Sequence, residues 1–394
     1  MPDYLSLANQ LAPTLIAWRR DFHQHPELGF EEVRTAGIVA EHLRALGLEV
    51  VTGVGKTGVV GMIEGVGEGP VVLLRFDMDA LPITEATGLP WASQRPGLMH
   101  ACGHDGHTAI GMGVAQLLAQ TRDQWPGVVK LLFQPAEEGL GGARATIRDG
   151  VLDSPAPDAA FALHLWNQLP LGQLVVQPGP LMAASDRFEI RILGRGGHGA
   201  IPEDTIDAVL VAAEAVNTLH HIISRNISPH ATAVLSVGKL HAGDTFNVIA
   251  EQAEIEGTLR TFEPAVRERL IHRMEETLAG VTRAYGAHYT FEIKEDEYTP
   301  AVNNDPEMTD IAREAARTLL PEEQIIQITP IMVSEDMAEI LNRVPGCYLL
   351  LGAEPEGGAR GPHHNPRFDI HEDALPLAAA LMSQIAVTYL LQGT

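Results

Sequence analysis

The stretch MHACGHDGHTA, Met99 to Ala109, gathers a thiol, three imidazoles and a carboxylate in one short glycine-containing segment just ahead of a predicted helix. Cys102 and His104 flank Gly103, and the small Gly103 and Gly106 permit the tight turns that let both side chains converge on one ion. In LLFQPAEEGLGGA, Leu131 to Ala143, an apolar strand runs into Pro135 and is followed by Glu137 and Glu138. Function in an α/β sheet sits at the carboxyl ends of strands, where one glutamate can ligate a metal while its neighbour shuttles a proton. ALHLW, Ala162 to Trp166, sets His164 in an otherwise apolar strand. HHNPRFDIHEDALP, His363 to Pro376, places His363 and His364 before Asn365 and Pro366, where the restricted proline can hold an imidazole in place. Taken singly, these read as a capping loop with a buried cysteine, a solvated turn, a core histidine and an exposed polar loop. Together they supply a thiolate, three or more imidazoles and at least one carboxylate, a ligand set suited to two transition-metal ions. A thiolate or carboxylate bridging two ions would set them about 3.5 to 4 Å apart, the spacing of two-metal hydrolytic sites.

Such a set needs a scaffold that brings strand ends together. From Leu5 to about Leu46 the apolar residues recur at helical spacing, interrupted near His25, Pro26 and Gly29, which predicts two helices joined by a loop. Val59–Ile63, Val71–Phe76, Val128–Phe133 and Ala159–Leu165 read as apolar strands, and Thr108–Gln120 as a helix. This alternation implies an α/β domain with a largely parallel sheet covered on both faces. After Gly179 and Pro180 the order becomes strand 187–193, helix 206–224, strands 231–239 and 254–261, helix 264–285 and strand 289–294. That is the βαββαβ order of ferredoxin-like domains. Beyond Thr299 and Pro300 come further helices, a strand at Cys347–Leu351 and an apolar C-terminal helix expected to be buried. The expected organisation is a discontinuous catalytic α/β domain, 1–184 and 299–394, carrying the binuclear metal site, with an inserted ferredoxin-like domain, 185–298.

Composition narrows the partners. The 394 residues carry 27 Lys plus Arg against 51 Asp plus Glu, a formal net charge of -24 with no basic run, which disfavours nucleic acid and anionic membrane. Charged residues at 20% and hydrophobic ones at 45% describe a globular chain long enough for two domains. Two cysteines, Cys102 and Cys347, are too few for a disulfide framework, and the start Met1-Pro2-Asp3-Tyr4 lacks a signal-peptide pattern, so a cytoplasmic location is expected. Leu375–Leu391 is interrupted by Pro376, Ser383, Gln384 and Thr388 and falls short of the roughly 20 residues of a membrane span.

The motifs FHQHPELGFEE (Phe22 to Glu32), DMDALP (Asp77 to Pro82), MHACGHDGHTA, FQPAEEG, GRGGHGAIP (Gly194 to Pro202) and HNPRFDI (His364 to Ile370) occur in that order. They resemble the metallopeptidase family that unites aminoacylases and zinc carboxypeptidases, and within it the hippurate hydrolase and N-acyl-amino-acid amidohydrolase branch. The resemblance implies that Cys102 is a bridging thiolate, that His104, His164 and His364 are terminal metal ligands, that Glu138 is the carboxylate ligand and that Glu137 is the general base. Asp79 matches an aspartate that orients a metal-binding histidine two positions earlier, but that position here is Asp77, and His104 takes the missing ligand's place. It further implies an inserted domain acting as lid and dimer interface, in a homodimer or homotetramer. His198 would reach the active site of a partner subunit and polarise the scissile carbonyl, while Asn247 and Arg260 would contact substrate.

The forked guanidinium of Arg260 suits a free carboxylate. The implied activity is hydrolysis of N-acetyl, N-benzoyl or aryl-acyl amino acids with two divalent ions, of Zn, Mn, Ni or Co. A carboxypeptidase or dipeptidase of the same family is the alternative enzyme, and a non-catalytic metal-dependent binding protein the alternative class. A bridging Cys102 also implies sensitivity to oxidants.

Overall fold

The computed structural model describes residues 2–392. The chain divides into two units, a larger one of residues up to Leu181 with Asn303–Thr329 and the chain from Asp336 on, and a smaller one of Met182–Val302 with Pro330–Glu335. These limits differ from 184/185 and 298/299 by a few residues. Pro330–Glu335 joins the smaller unit because the Ala183 amide is shared by the carbonyls of Ile331, at 3.1 Å, and Val333, at 2.9 Å.

In the larger unit eight strands form one sheet in the order Glu49–Val54, Gly58–Glu64, Val128–Gln134, Val71–Asp77, Ala159–Trp166, Gly346–Gly352, Leu174–Val175 and Ile325–Ile326. The four central strands, from Val128–Gln134 to Gly346–Gly352, are mutually parallel and almost wholly buried, as a sheet covered on both faces requires. The edges depart from the expected parallel pattern. Gly58–Glu64 runs antiparallel to Glu49–Val54, as the short turn at Gly55 and Lys56 requires, and it is also antiparallel to Val128–Gln134. Register pairs Asp77 with Gln134 and Trp166 with Gly352, so the loops that follow these strands leave from one edge of the sheet.

Helices Tyr4–Gln24, His104–Gln120 and Ala374–Gln392 pack against one another. Ala374–Gln392 is long and apolar enough to cross a membrane, yet 83% of its most apolar window lies inside the unit. The helix expected from Thr108 starts at His104. Gly103 adopts a left-handed φ of 93°, which glycine tolerates best, and its carbonyl accepts the His107 amide at 3.0 Å. His104 therefore stands in the first helical turn and not in a loop.

The smaller unit has a four-stranded antiparallel sheet in the order Ala233–Ala242, Gln252–Thr261, Ala184–Leu193 and His288–Ile293. With helices Ala208–Asn226 and Pro264–Tyr285 this is the ferredoxin-like arrangement. Burial alternates along Ala184–Leu193, and Phe188, Ile190 and Ile192 form a core of their own with Val211, Leu219, Leu270 and Met274. A short ribbon pairs His198 with Val248.

Candidate metal centre

Three loops and one helix start meet at the edge where the central strands end. Cys102, His104 and His164 have ligand atoms within 4.8 Å of one another, and so do Cys102, Glu138 and His364. The thiol of Cys102 is thus common to both groups, and its Sγ lies 3.5 Å from Nε2 of His164. His364 Nε2 lies 3.2 Å from Glu138 Oε1. Glu137 joins His104 and Glu138 in a third group, and its Oε1 is 3.4 Å from the Asp336 amide.

Two non-glycine residues at this edge have left-handed backbones, Ala136 at φ 54° and His364 at φ 63°. Such conformations are uncommon outside glycine and persist where the surroundings impose them. The His364 amide donates to the Ala101 carbonyl at 2.8 Å, which ties the fourth motif to the first.

The imidazoles of His104 and His164 are oriented from behind. His104 directs Nδ1 to both the carboxylate of Asp79, at 3.1 Å, and its carbonyl, at 3.0 Å. His104 Nε2 is left buried with no hydrogen-bond partner among the described residues. A buried ring nitrogen without a partner is costly unless something engages it, and the thiol, imidazoles and carboxylates around it are the donors a divalent transition metal prefers, so the residues fit two such ions. The other Asp79 oxygen accepts the Glu138 amide at 2.9 Å. His164 donates Nδ1–H to the Leu165 carbonyl at 2.9 Å, leaving Nε2 toward Cys102.

Asp77, His104 and His107 also have ligand atoms within 4.8 Å of one another, with Asp77 Oδ2 3.8 Å from His104 Nε2, but Asp77 and His107 are already engaged by protein partners. His107 donates to Asp77 at 2.6 Å through Nδ1 and accepts the Leu165 amide at 2.9 Å through Nε2, so both its nitrogens are occupied. Asp77 also receives Arg75 at 2.6 Å, and Arg75 reaches Gln134 and Asp336. Burial works against the Asp77 charge, but His104, His107 and Arg75 hold its carboxyl well below the usual range. His107 was legible only as a histidine three residues after His104; its bonding depends on two strands distant in sequence.

The metal-free electrostatics favour protons on several of the grouped side chains. Burial and the Glu138 carboxylate push the Cys102 thiol well up, so the metal-free site favours the protonated thiol. Burial would lower His104, but Asp77 pulls it well above its ordinary value. His364 is raised by its bond to Glu138. His363 differs from His364: burial pushes it down to about 4, its Nε2 meets the Leu165 carbonyl at 3.2 Å, and its ring lies 4.4 Å from that of Trp166.

His198, Asn247 and Arg260 belong to the smaller unit. His198 is exposed on the ribbon, and the adjacent Gly199 amide donates to the Asn247 carbonyl at 2.9 Å. Arg260 lies on Gln252–Thr261, half-buried, with Nη1 3.3 Å from Ser334 Oγ.

A strand edge that presents a thiol, imidazoles and paired carboxylates, with carboxylates and carbonyls bracing the imidazoles from behind, is the construction of a two-metal hydrolase. The model of peptidase family M20/M25/M40 matches residues 73–388. An N-acetylcysteine deacetylase of Bacillus subtilis (strain 168) is 41% identical over 95% of this chain and 97% of its own. A thermostable carboxypeptidase of Saccharolobus solfataricus is 39% identical over 95% of each chain. The crystal structure of a dinuclear metal-binding peptidase of the M20 family from Bacillus subtilis, 37% identical, superposes with a TM-score of 0.86 over 98% of this chain and all of that one. The chain belongs to peptidase family M20/M25/M40, and it is a metal-dependent hydrolase of amide bonds.

Proposed function

We propose that the chain hydrolyses the amide of N-acyl amino acids, releasing a carboxylic acid and a free amino acid. The observation that carries this reading is the sharing of Cys102 between two ligand groups with Glu137 beside them. Cys102, His104, His164, Glu138 and His364 would hold two divalent ions, of Zn, Mn, Co or Ni. The ions supply Lewis-acid polarisation of the scissile carbonyl and make water acidic enough to lose a proton near neutral pH. Glu137 takes that proton and returns it to the departing amine, the work of a general base that becomes a general acid. His198 donates a hydrogen bond to the developing oxyanion, where electrostatic stabilisation matters most. Arg260 receives the α-carboxylate through its guanidinium, and Asn247 holds the substrate beside it.

The larger unit is the catalytic body in this reading. The smaller one is a lid and the interface of a homodimer or homotetramer, supported by the exposed apolar side chains of Phe246 (99%), Val248 (54%) and Leu210 (53%). A cytoplasmic location suits two cysteines that are both free. The relative described as a carboxypeptidase favours peptide hydrolysis as the second reading, since a peptide is also an N-acyl amino acid. Rates on N-acetyl amino acids, hippurate and dipeptides, measured side by side with each metal, separate the two: N-acyl amino acids are expected to turn over fastest, and faster turnover of peptides with blocked amino termini and free carboxyl termini would favour the carboxypeptidase.

A further inference from the structure

The motif Phe22–Glu32 supplies none of the grouped ligands, yet its last residue is fully buried. Glu32 Oε1 accepts the Ala136 amide at 2.8 Å and Oε2 accepts the Thr57 hydroxyl at 2.5 Å. The central strand ends at Gln134 and Pro135 has no N–H, so the Ala136 amide is a buried donor with no sheet partner to satisfy it. Gly29 presses on the same residue: a Cβ there would stand 2.9 Å from Ala136 Cα and 3.0 Å from its Cβ. Two residues on, the Glu138 amide is held by Asp79 at 2.9 Å, so carboxylate-held amides bracket Glu137 on both sides.

We infer that Glu32 is a positioning residue for Glu137: its carboxylate, with Gly29 behind it, fixes Ala136 in the left-handed conformation from which Glu137 is presented beside Glu138 and His104. Glu32 belongs to none of the ligand groups and acts through the Ala136 peptide. The inference rests on Glu137 being the proton shuttle. A misplacement of about 1 Å can cost about 10²-fold in rate, so loss of this acceptor should be visible in kcat.

The test combines amide hydrogen exchange at Ala136 in the metal-free protein with kcat and KM of the metal-loaded enzyme. Glu32→Met, similar in size but without an acceptor, should expose the Ala136 amide and lower kcat about tenfold to 10²-fold at unchanged KM. Glu32→Gln keeps an acceptor oxygen and should recover both the protection and most of the rate. Fast exchange at Ala136 in Glu32→Met with kcat unchanged would overturn the inference, and so would equal losses in the Met and Gln variants. Should Glu32→Met fail to fold, Gly29→Ala displaces Ala136 from the other side, and undiminished kcat there would equally overturn it. Full activity of Glu137→Gln would instead sink the proton-shuttle reading, while exchange at Ala136 still reports whether Glu32 holds the turn.

Discussion

Which imidazole can bind an ion depends here on which of its nitrogens is already engaged. His104 and His164 spend Nδ1 on oxygen acceptors and turn Nε2 toward the grouped ligands, that of His164 against Cys102, whereas His107 spends both nitrogens elsewhere. Asp79 is central to this selection because it holds His104 and the Glu138 amide at once. Asp79→Asn replaces one acceptor by a donor, and metal affinity measured by competition with a chromophoric chelator should fall 10- to 100-fold; unaltered affinity would remove Asp79 from the site. Cys102, His104 and His364 all have raised pKa values in the metal-free site, so an arriving ion displaces protons. Metal uptake should therefore weaken as pH falls and release protons, detectable by calorimetry in buffers of different ionisation enthalpy. Cys102 and the paired glutamates were legible because small residues and a strand end announce them. Asp79 and Asp77 were marked only by the resemblance; that Asp79 holds His104 and the Glu138 amide, and that Asp77 is taken up by His107 and Arg75, depends on contacts across distant strands.

At the scale of elements, a buried charge network joins the pieces that carry the site. Arg19, on the first helix and fully buried, donates to Asp105 in the His104 turn at 2.8 Å and to Asp369 in the loop after His364 at 3.0 Å. His23 Nδ1 meets the same Asp105 oxygen at 2.8 Å. Removing one partner of a buried ion pair leaves the other charge uncompensated, so Arg19→Met should cost about 3–5 kcal/mol in urea unfolding, and a loss below about 1 kcal/mol would show the clamp to be dispensable. The central strands and the long helices followed from apolar runs and helical periodicity. The edge strand Glu49–Val54 did not, because it is largely exposed and shows no apolar run. The helix start at His104 was missed because a polar first turn after glycine reads as a loop; Gly103 turns it into a cap.

On the scale of the whole molecule, two separate cores carry the two halves of the proposed function. The charge of -24 lies on a chain whose grouped site residues are mostly enclosed, so it bears on solubility and partner choice more than on the reaction. If the proposed assembly forms through the exposed apolar face of the smaller unit, Phe246→Glu should shift it toward monomer in light scattering; an undisturbed assembly would place the interface elsewhere. The ferredoxin-like order was readable from the alternation of elements, whereas the apolar surface on the ribbon was not, since exposure cannot be inferred from a loop's composition. The most direct test of a two-ion amide hydrolase with Glu137 as proton shuttle is a metal titration of metal-free wild type and Glu137→Gln, following bound ions and hydrolysis of an N-acetyl amino acid together. Two ions per chain in both proteins, with turnover in the variant reduced about 10²- to 10⁴-fold, is the predicted result. A single ion per chain, or full turnover without Glu137, would contradict it.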